Sequence, residues 1–479
     1  MKMKIITLQK RTAALFIALI TLSQVLAGVK LPAFFSDGML MQQQTQANLW
    51  GTADPGKQVT IIPSWDKKEY RIKADAQGCW KISVPTPVAG GPYSIVFSDG
   101  QAITLNDVWI GELWICSGQS NMEMPMKGFK NQPVANALRD IVKSRNPHIR
   151  LFTVKRASSS TPQYDVTGRW MEATPTSVSE FSATAYYFGR LLQEALQVPV
   201  GLIAASWGGS SAEAWMREDW LEAFPNIRIP RTDEDITSKN RNPTVLFNGM
   251  LHPLIGVAMR GVLFYQGEDN CNRAHTYADM LTALIGGWRS VWKQGDFPFY
   301  YCQIAPYDYS LIGEPGKPAI NSAYLREAQM QVEHRVPNTG MAVLLDTGQE
   351  QGIHPSDKQT PGERLAFLAL SKMYGMEGIE ADSPCYQSMQ IQGDTAIITF
   401  DRAPMWLNAA GGRSQLFTIA GEDRVFHTAQ AWIVRSKVHV RSPEVDKPVA
   451  VRYGFDNYIK GDLYGGSGLP VSSFRTDNF

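Results

Sequence analysis

Apolar and polar positions alternate in short segments over the early part of the chain, between residues 31 and 105. Residues 59–62 and 80–84 are two such segments, and Gly, Pro and Asp residues separate them from their neighbours. Alternation with a period of two is typical of a strand buried on one face, and closely spaced strands between turn residues favour a sandwich. The pattern therefore predicts an N-terminal β-sandwich over residues 28–105.

The pattern changes after residue 108, where short apolar strands begin to alternate with stretches of helical periodicity. Those stretches span residues 181–196, 277–292 and 361–374. Alternating strands and helices favour a parallel sheet with helices on its faces, so residues 106–378 are predicted to form an α/β domain. The strand pattern returns from about residue 385, which predicts a C-terminal β-rich module over residues 379–479.

The first 27 residues have the layout of a secretory signal peptide. Basic residues precede an apolar run over residues 12–22, and small residues follow it up to Ala27. The run is shorter than the ~18 to 20 apolar residues of a membrane-spanning helix, so cleavage near Ala27 is favoured over a retained anchor. Gly28 rather than Cys comes next, so a lipoprotein anchor is not indicated. We expect a secreted or periplasmic protein without stable membrane insertion.

Charge and cysteine content narrow the class of ligand. The chain carries 46 Lys and Arg against 45 Asp and Glu, a formal charge of +1, whereas proteins that bind nucleic acid usually have a basic excess. Its five Cys are an odd number without a C-x-x-C pair, so a disulfide framework is not expected, and a single bridge of unassigned partners is the alternative. The sequence contains no recognisable metal-binding or nucleotide-binding motif. We therefore expect a neutral ligand, no nucleic acid, no metal and no cofactor.

A serine follows the apolar segment that begins at residue 108. The apolar run ends at Cys116 and is followed by Ser117-Gly-Gln-Ser-Asn, which is typical of a strand that leads into a sharp turn. Ser120 is therefore expected at the carboxyl edge of the sheet, where open α/β folds place their sites. The segment differs from the G-x-S-x-G turn of the α/β-hydrolases because Met122 stands in place of the second glycine.

The segment Gly118-Gln-Ser-Asn-Met, with the apolar residues before it, resembles the nucleophile block of the sialate O-acetylesterase family, a branch of the SGNH hydrolases. Five further blocks resemble the same family in the same order: Gly201-Leu-Ile-Ala-Ala-Ser-Trp-Gly-Gly-Ser, Phe247-Asn-Gly-Met, Tyr265-Gln-Gly-Glu-Asp-Asn, Leu325-Arg-Glu-Ala-Gln and Ile353-His-Pro-Ser-Asp-Lys-Gln. The resemblance extends into both flanking regions. It implies an SGNH-type esterase domain over residues 106–378, with Ser120 as the nucleophile of a carbohydrate esterase.

A serine hydroxyl becomes a good nucleophile only when a neighbouring base takes its proton. The chain has seven His residues, and His354 lies just after an apolar run over residues 341–345 and just before a predicted helix. We therefore assign the general base to His354, which the resemblance supports, with His252 as the alternative. His427 and His439 lie in the C-terminal β region and are expected to be structural.

Attack on an acetyl carbonyl creates an oxyanion, which needs hydrogen-bond donors that are already in place. The N–H of Ser120 is one candidate, and the turn after an apolar strand offers the N–H groups of Gly208 and Gly209. The side-chain amide of Gln266 or Asn270 is a further candidate. SGNH hydrolases in general carry Gly-x-Asn-Asp at this last block, and this sequence departs from that pattern, so the choice of amide stays open.

The group that would orient the imidazole is the least defined member of the site. SGNH hydrolases usually place an Asp three residues before the catalytic His, and that position here is Gln351. Glu268 is the first candidate for the carboxylate, with Glu350 and Asp346 behind it. A Ser-His dyad held by a backbone carbonyl is the alternative.

Together these residues predict hydrolysis of acetyl esters by two-step acyl transfer. The resemblance implies O-acetylated sialic acids as substrates, and acetylxylan or another acetylated hemicellulose is the alternative. A non-catalytic carbohydrate-binding protein and a peptidase are two further hypotheses. The combination of Ser120, the Gly208-Gly209 turn and His354 argues against the non-catalytic protein, and the peptidase has no support beyond sharing a serine nucleophile.

Overall fold

The computed structural model describes residues 28–313 and 319–479, so the segment assigned to a signal peptide lies outside the described residues. The strands are β1 (Leu40–Gln42), β2 (Gln46–Thr52), β3 (Gln58–Pro63), β4 (Tyr70–Lys73), β5 (Cys79–Pro85), β6 (Gly90–Ser98), β7 (Ala102–Gly118), β8 (Asn146–Thr153), β9 (Trp170–Ala173), β10 (Val200–Ser206), β11 (Gly261–Tyr265), β12 (Phe299–Cys302), β13 (Thr339–Ala342), β14 (Cys385–Gln392), β15 (Thr395–Asp401), β16 (Leu407–Ala409), β17 (Arg413–Ser414), β18 (Phe417–Ala420), β19 (Phe426–Thr428), β20 (Gln430–Val434), β21 (Lys437–Arg441), β22 (Ala450–Tyr453), β23 (Leu463–Gly465) and β24 (Phe474–Arg475).

The α-helices are α1 (Ser120–Glu123), α2 (Ala137–Val142), α3 (Pro175–Glu180), α4 (Ala183–Leu196), α5 (Glu218–Leu221), α6 (Tyr277–Trp292), α7 (Ala323–Arg335) and α8 (Gln359–Leu368). Shorter helical turns include Glu268–Thr276 and Ala369–Met373, the second of which continues α8. Within the described ranges, no helix has the length and apolar character that crossing a membrane requires.

The centre of the molecule is a sheet in the order β13-β12-β11-β7-β10-β8-β9. Every neighbouring pair along this path is parallel except β8 and β9, which are antiparallel. The expected α/β class with flanking helices is therefore confirmed. The predicted helical stretches at residues 181–196 and 277–292 correspond to α4 and α6.

Helices cover both faces of this sheet. Successive side chains of a strand point to opposite faces, so Leu113 and Ile115 of β7 join one buried cluster while Trp114 and Cys116 join the other. α6 and α7 contribute to the first cluster, and α4 and α8 contribute to the second. Each large apolar side chain buried in these clusters stabilises the fold by about 1.5–3 kcal/mol.

The N-terminal region is mainly antiparallel. β4, β3 and β6 lie side by side, and β2 and β5 form a separate pair. β6 pairs with β7 between residues 102 and 110, whereas β10 pairs with residues 112–118 of the same strand. The boundary expected between residues 105 and 106 therefore falls inside one continuous strand.

The C-terminal region is β-rich, as expected, and it packs against the central domain. Its larger sheets have the orders β14-β15-β21-β20-β17 and β19-β18-β22-β24. Arg326 of α7 is fully buried, and its guanidinium donates to the carbonyl oxygens of Gly454, Asp456 and Asn457. This arginine, which belongs to the Leu325-Arg-Glu-Ala-Gln block, fastens the C-terminal region to the central domain.

Candidate active site

Ser120 lies in a sharp turn between β7 and α1. Gly118 has φ +132°, a conformation that favours glycine, and a Cβ there would lie 2.2 Å from the carbonyl oxygen of Tyr265. The N–H of Gln119 donates to that same carbonyl at 2.9 Å. β7 and β11 thus hold the turn between them, and Ser120 follows as the buried first residue of α1.

His354 lies within hydrogen-bond distance of Ser120. Its Nε2 is 2.7 Å from the serine Oγ. His354 lies between β13 and α8, and Phe129 packs edge-on against its ring with the centroids 5.4 Å apart. The fold thus brings together the two residues that the sequence suggests as nucleophile and base, although 234 positions separate them in the chain.

Gln132 contacts the other nitrogen of the His354 ring, and sequence reasoning missed it. The Gln132 Oε1 is 2.6 Å from Nδ1. An amide oxygen can only accept, so Nδ1 carries the proton and Nε2 is left to accept from the Ser120 hydroxyl. Gln132 lies in a turn closed by hydrogen bonds in both directions between its backbone and that of Phe129. It belongs to no motif, so no signal in the sequence points to it.

The surroundings of His354 favour its neutral form. Burial, and to a smaller extent the nearby Lys358 ammonium, together lower the pKa of the imidazole from its ordinary 6.5 to about 4. A neutral imidazole is the form that can accept a proton. At neutral pH the residue is therefore poised to act as a base toward Ser120.

The structure does not bring Glu268 to the imidazole, which corrects the first choice for the orienting carboxylate. Its Oε1 instead accepts from the Asn121 side-chain amide at 2.6 Å, because Asn121 follows Ser120 in α1 and presents its Nδ2 to the carboxylate. Burial raises the pKa of Glu268. Asp346 is paired with Arg364 at 2.7 Å through both carboxylate oxygens.

Glu350, the remaining carboxylate candidate, is exposed to solvent, and its backbone carbonyl accepts from the N–H of Asp308. The contact that the imidazole does make is with a neutral amide oxygen rather than a carboxylate or a backbone carbonyl. Neither sequence-based alternative for the third member therefore matches the contact at His354.

Gln266 and Asn270 belong to a buried network and do not face Ser120. Gln266 donates to the Ser210 carbonyl at 3.1 Å and to the Asn270 Oδ1 at 2.7 Å. The Asn270 Nδ2 in turn donates to the Glu213 carboxylate at 3.0 Å. Both amides are thus occupied in packing the loop after β11, and the expectation that one of them serves the oxyanion does not match this geometry.

The glycine turn after β10 runs close to Ser120. A Cβ on Gly208 would lie 3.3 Å from the Ser120 Cβ, but the Gly208 N–H already donates to the Glu123 carboxylate at 2.8 Å. Among the hydrogen bonds of the described residues, none uses the N–H of Ser120 or of Gly209. Of the five sequence candidates, these two N–H groups are the ones still free to receive an oxyanion.

A polar and aromatic surface borders the Ser120 turn. Arg156 makes two contacts with the Glu123 carboxylate, at 2.6 and 2.7 Å, and its guanidinium lies 5.6 Å from the Trp207 ring centroid. The Asn240 side chain donates to the Gly208 carbonyl at 2.6 Å. A cavity of ≈ 480 Å³ lies beside this surface, lined by residues that include Glu123, Phe129 and Arg156. One aromatic ring and a charged pair therefore line a cavity beside Ser120.

The other histidines singled out in the sequence have structural contacts. The His252 Nδ1 lies 2.9 Å from the Gln163 carbonyl oxygen, so the alternative base is not at the site. His427 pairs with Glu444, and His439 packs on Trp432.

The five cysteines are free thiols. In the part of the chain that the structure describes, no three His, Cys, Asp or Glu side chains are grouped so that they could hold a metal ion.

Comparison with known proteins gives a consistent set of similarities. Residues 110–366, just over half of the chain, match the family model described as carbohydrate esterase, sialic acid-specific acetylesterase. The rat sialate O-acetylesterase is 27% identical over 435 residues, which cover 78% of this chain and 79% of the rat protein. The human sialate O-acetylesterase is 28% identical over 396 residues, covering 76% of this chain and 75% of the human protein.

A solved structure is similar over nearly the whole chain. The crystal structure of a carbohydrate acetylesterase from Xanthomonas citri superposes with a TM-score of 0.85 at 35% sequence identity. The match covers 94% of this chain and 100% of that one. The similarity therefore includes both flanking β regions as well as the central sheet.

Proposed function

The chain belongs to the carbohydrate esterases described as sialic acid-specific acetylesterases, and we propose that it removes O-acetyl groups from sugars through an acetyl-enzyme formed on Ser120. The observation that supports this proposal most is the 2.7 Å contact between the Ser120 Oγ and the His354 Nε2 at the carboxyl edge of the sheet. A hydroxyl that donates to a neutral imidazole is the arrangement that activates a serine nucleophile.

In the first step the Ser120 oxygen attacks the acetyl carbonyl while the His354 Nε2 takes the hydroxyl proton. The C–O bond to the sugar then breaks, and His354 returns the proton to the departing sugar oxygen. Gln132 positions the ring throughout, because its amide oxygen accepts from Nδ1–H in both the neutral and the charged imidazole.

In the second step a water molecule attacks the acetyl-enzyme. His354 takes a proton from this water and then protonates Ser120 as acetate leaves. The N–H groups of Ser120 and Gly209 stabilise the oxyanion formed in both steps, since neither has another hydrogen-bond partner among the described residues. Loss of one such donor raises the barrier by roughly 3–4 kcal/mol.

O-acetylated sialic acids are the proposed substrate class. The description of the matching family and the names of the rat and human relatives support this choice. The name of the Xanthomonas citri protein specifies only an acetylated carbohydrate, so acetylxylan is the competing substrate. Membership of an esterase family leaves no support for a non-catalytic carbohydrate-binding protein or a peptidase.

Acetate release from acetylated sialosides and from acetylated xylan, measured side by side, tests the proposal. We expect release from the sialosides, and an activity on xylan alone would replace the proposed substrate with hemicellulose. Ser120→Ala and His354→Ala are expected to fold and to lose activity by several orders of magnitude. His427→Ala is the matched control and is expected to keep wild-type activity. Undiminished acetate release from Ser120→Ala would overturn the assigned nucleophile.

Export from the cytoplasm is proposed from the basic, apolar and small residues of positions 2–27. The mature protein is then expected to begin near Gly28 and to occur in the periplasm or outside the cell. Sequencing of the amino terminus from cell fractions tests this. An intact Met1 on cytoplasmic protein would refute it.

A further inference from the structure

We propose that Asn121, Glu268 and Lys358 form a positioning cluster that holds the peptide bearing His354 in register with the Ser120 turn. The inference rests on the proposed function, since it concerns how the same nucleophile and base are kept at reacting distance. None of the three side chains hydrogen-bonds to the imidazole or the serine hydroxyl, so they position the base through the backbone, and Lys358 also acts on the imidazole through its charge.

Asn121 connects the nucleophile turn to the histidine loop. It follows Ser120 directly, and its Nδ2 donates to the backbone carbonyl of Ile353 at 3.1 Å. The same Nδ2 donates to the Glu268 Oε1 at 2.6 Å, and its Oδ1 accepts from the Lys358 Nζ at 2.7 Å. One amide therefore joins the residue after the nucleophile, the residue before the base, and two side chains of opposite charge.

Lys358 holds the other side of the base. Its Nζ donates to the Pro355 carbonyl at 2.7 Å as well as to Asn121. The carbonyls of Ile353 and Pro355, one on each side of His354, are thus both hydrogen-bonded within the cluster. Fixing both flanking carbonyls restricts the backbone from which the imidazole projects.

The cluster lies in an environment where its polar contacts are strong. Asn121 and Lys358 are each 1% exposed and Glu268 is 7% exposed. Burial lowers the pKa of Lys358 to about 7, and the Glu268 carboxylate opposes that shift, as does the nearby Asp357. Hydrogen bonds strengthen in such a low-dielectric site, and a buried charge that loses its partner is costly.

Positioning matters here because proton transfer and attack both depend on the Ser120–His354 distance. A displacement of ~1 Å between reacting groups can cost about 100-fold in rate. Loss of the cluster contacts is therefore expected to lower kcat by about 10- to 100-fold. KM should stay within about two-fold, because none of the three side chains lines the cavity beside the Ser120 turn.

Variants of Glu268 and Lys358 distinguish a positioning role of the cluster from the role of the carboxylate in a catalytic triad. Glu268→Gln keeps an oxygen that accepts from Asn121, so its kcat should stay within about five-fold of wild type, whereas Glu268→Leu removes the acceptor and should be severe. A carboxylate that stabilised the imidazolium would instead make Glu268→Gln severe. Lys358→Met should lower kcat and also move the acid limb of the pH profile upward, because the cation that disfavours His354 protonation is gone.

Lys372→Met is the matched control, since Lys372 pairs with Asp382 away from the site and its loss should leave kcat and the pH profile unchanged. If Lys358→Met does not fold, by circular dichroism, the neutral double variant Lys358→Met with Glu268→Gln takes its place. It should fold and still show the fall in kcat, because the Pro355 carbonyl remains without its donor.

The experiments distinguish a failure of the positioning cluster from a failure of the proposed function. A wild-type protein that releases no acetate would refute the function itself. An active wild type with an inactive Ser120→Ala variant would leave the function standing. In that case, kcat within two-fold of wild type for both Lys358→Met and Glu268→Leu would overturn the positioning cluster, wherever the acid limb lies.

Discussion

The side-chain oxygen of Gln132 lies 2.6 Å from the His354 Nδ1, where serine hydrolases with a triad carry a carboxylate. A neutral amide in this position selects the tautomer and fixes the ring, but it adds no negative charge to balance an imidazolium. Its side chain is exposed, on a turn over residues 129–132 whose Phe129 packs on the same ring. One surface turn therefore both orients and covers the proposed base.

Replacing Gln132 tests this role directly. Gln132→Ala is expected to lower kcat by about 10- to 100-fold, because the ring loses its orienting acceptor and positioning errors of this kind are costly. Gln132→Glu should retain kcat and move the acid limb of kcat/KM to higher pH, since a carboxylate favours the charged imidazole. Lys130→Ala, on the same turn, is the control and should behave as wild type. Wild-type kinetics for Gln132→Ala would contradict the role.

The pH dependence of kcat/KM should reflect the lowered pKa of His354. The base is active when neutral, and burial with the Lys358 cation lowers its pKa from 6.5 to about 4. Activity on a neutral acetyl ester should therefore persist below pH 6 and fall only as the pH drops through about 4. The other groups bonded to the ring, Ser120 and Gln132, are neutral in this range. An acid limb centred near 6.5 would contradict this expectation.

The Glu123–Arg156 pair controls charge beside the proposed oxyanion. The Glu123 Oε2 and the Ser120 Cβ both lie within 3.3 Å of the position that a Gly208 Cβ would occupy. In Arg156→Ala this carboxylate loses its partner close to where negative charge develops, so kcat should fall by about 5-fold, the effect of ~1 kcal/mol of repulsion. Adding Glu123→Gln should restore most of the loss.

Arg217 offers a matched control for that experiment. It pairs with Asp219 through two contacts and stacks over Trp220 at 5.5 Å, an arrangement like that of Arg156, but away from Ser120. Arg217→Ala should therefore leave kcat unchanged. Equal effects of the two arginine substitutions would show that the Arg156 effect is one of general stability and not of local charge.

Gly118 is expected to be essential for folding of the turn that carries Ser120. A methyl group there would lie 2.2 Å from the Tyr265 carbonyl oxygen, and φ is positive, so Gly118→Ala should destabilise the protein by several kcal/mol. Gly286→Ala is the control: it lies within α6 with nothing within 4 Å of the added methyl group, and it should stabilise by about 0.5–1 kcal/mol. Thermal unfolding of the two variants measures whether the first substitution lowers the stability of the protein and the second raises it.

The pattern of apolar residues was sufficient to predict the class of fold and the position of Ser120 at the end of a central strand. Apolar runs that end in polar turns predicted that Ser120 and the loop of His354 reach the same sheet edge, because the carboxyl ends of parallel strands meet there. The rest depends on contacts between side chains that no periodicity encodes. Gln132 is a loop glutamine without a motif, so its contact with His354 follows only from the folded path of the turn.

The sequence could not predict the direction of three side chains in one block, those of Gln266, Glu268 and Asn270. Their block lies beside the site, as expected, but their side chains bond to Asn121, to Ser210 and to Glu213 rather than to the reacting pair. The motif predicted that these residues lie near the site, but it did not predict where each side chain points. The predicted domain boundaries have a similar limit. Strand β7 pairs with β6 in the N-terminal region and with β10 in the central sheet, without any change in its apolar pattern at the predicted boundary.

Strand β7 has a mechanical consequence for the enzyme. Its 17 residues run from the N-terminal β region to the turn that carries Ser120, and the strand bends at an irregularity near Asp107, where φ is +55°. A hydrogen-bonded strand of this length does not flex like a linker, so the N-terminal region cannot swing as a tethered accessory. The N-terminal region and the turn that carries Ser120 share one hydrogen-bonded strand, so the two parts should lose their structure in a single cooperative transition.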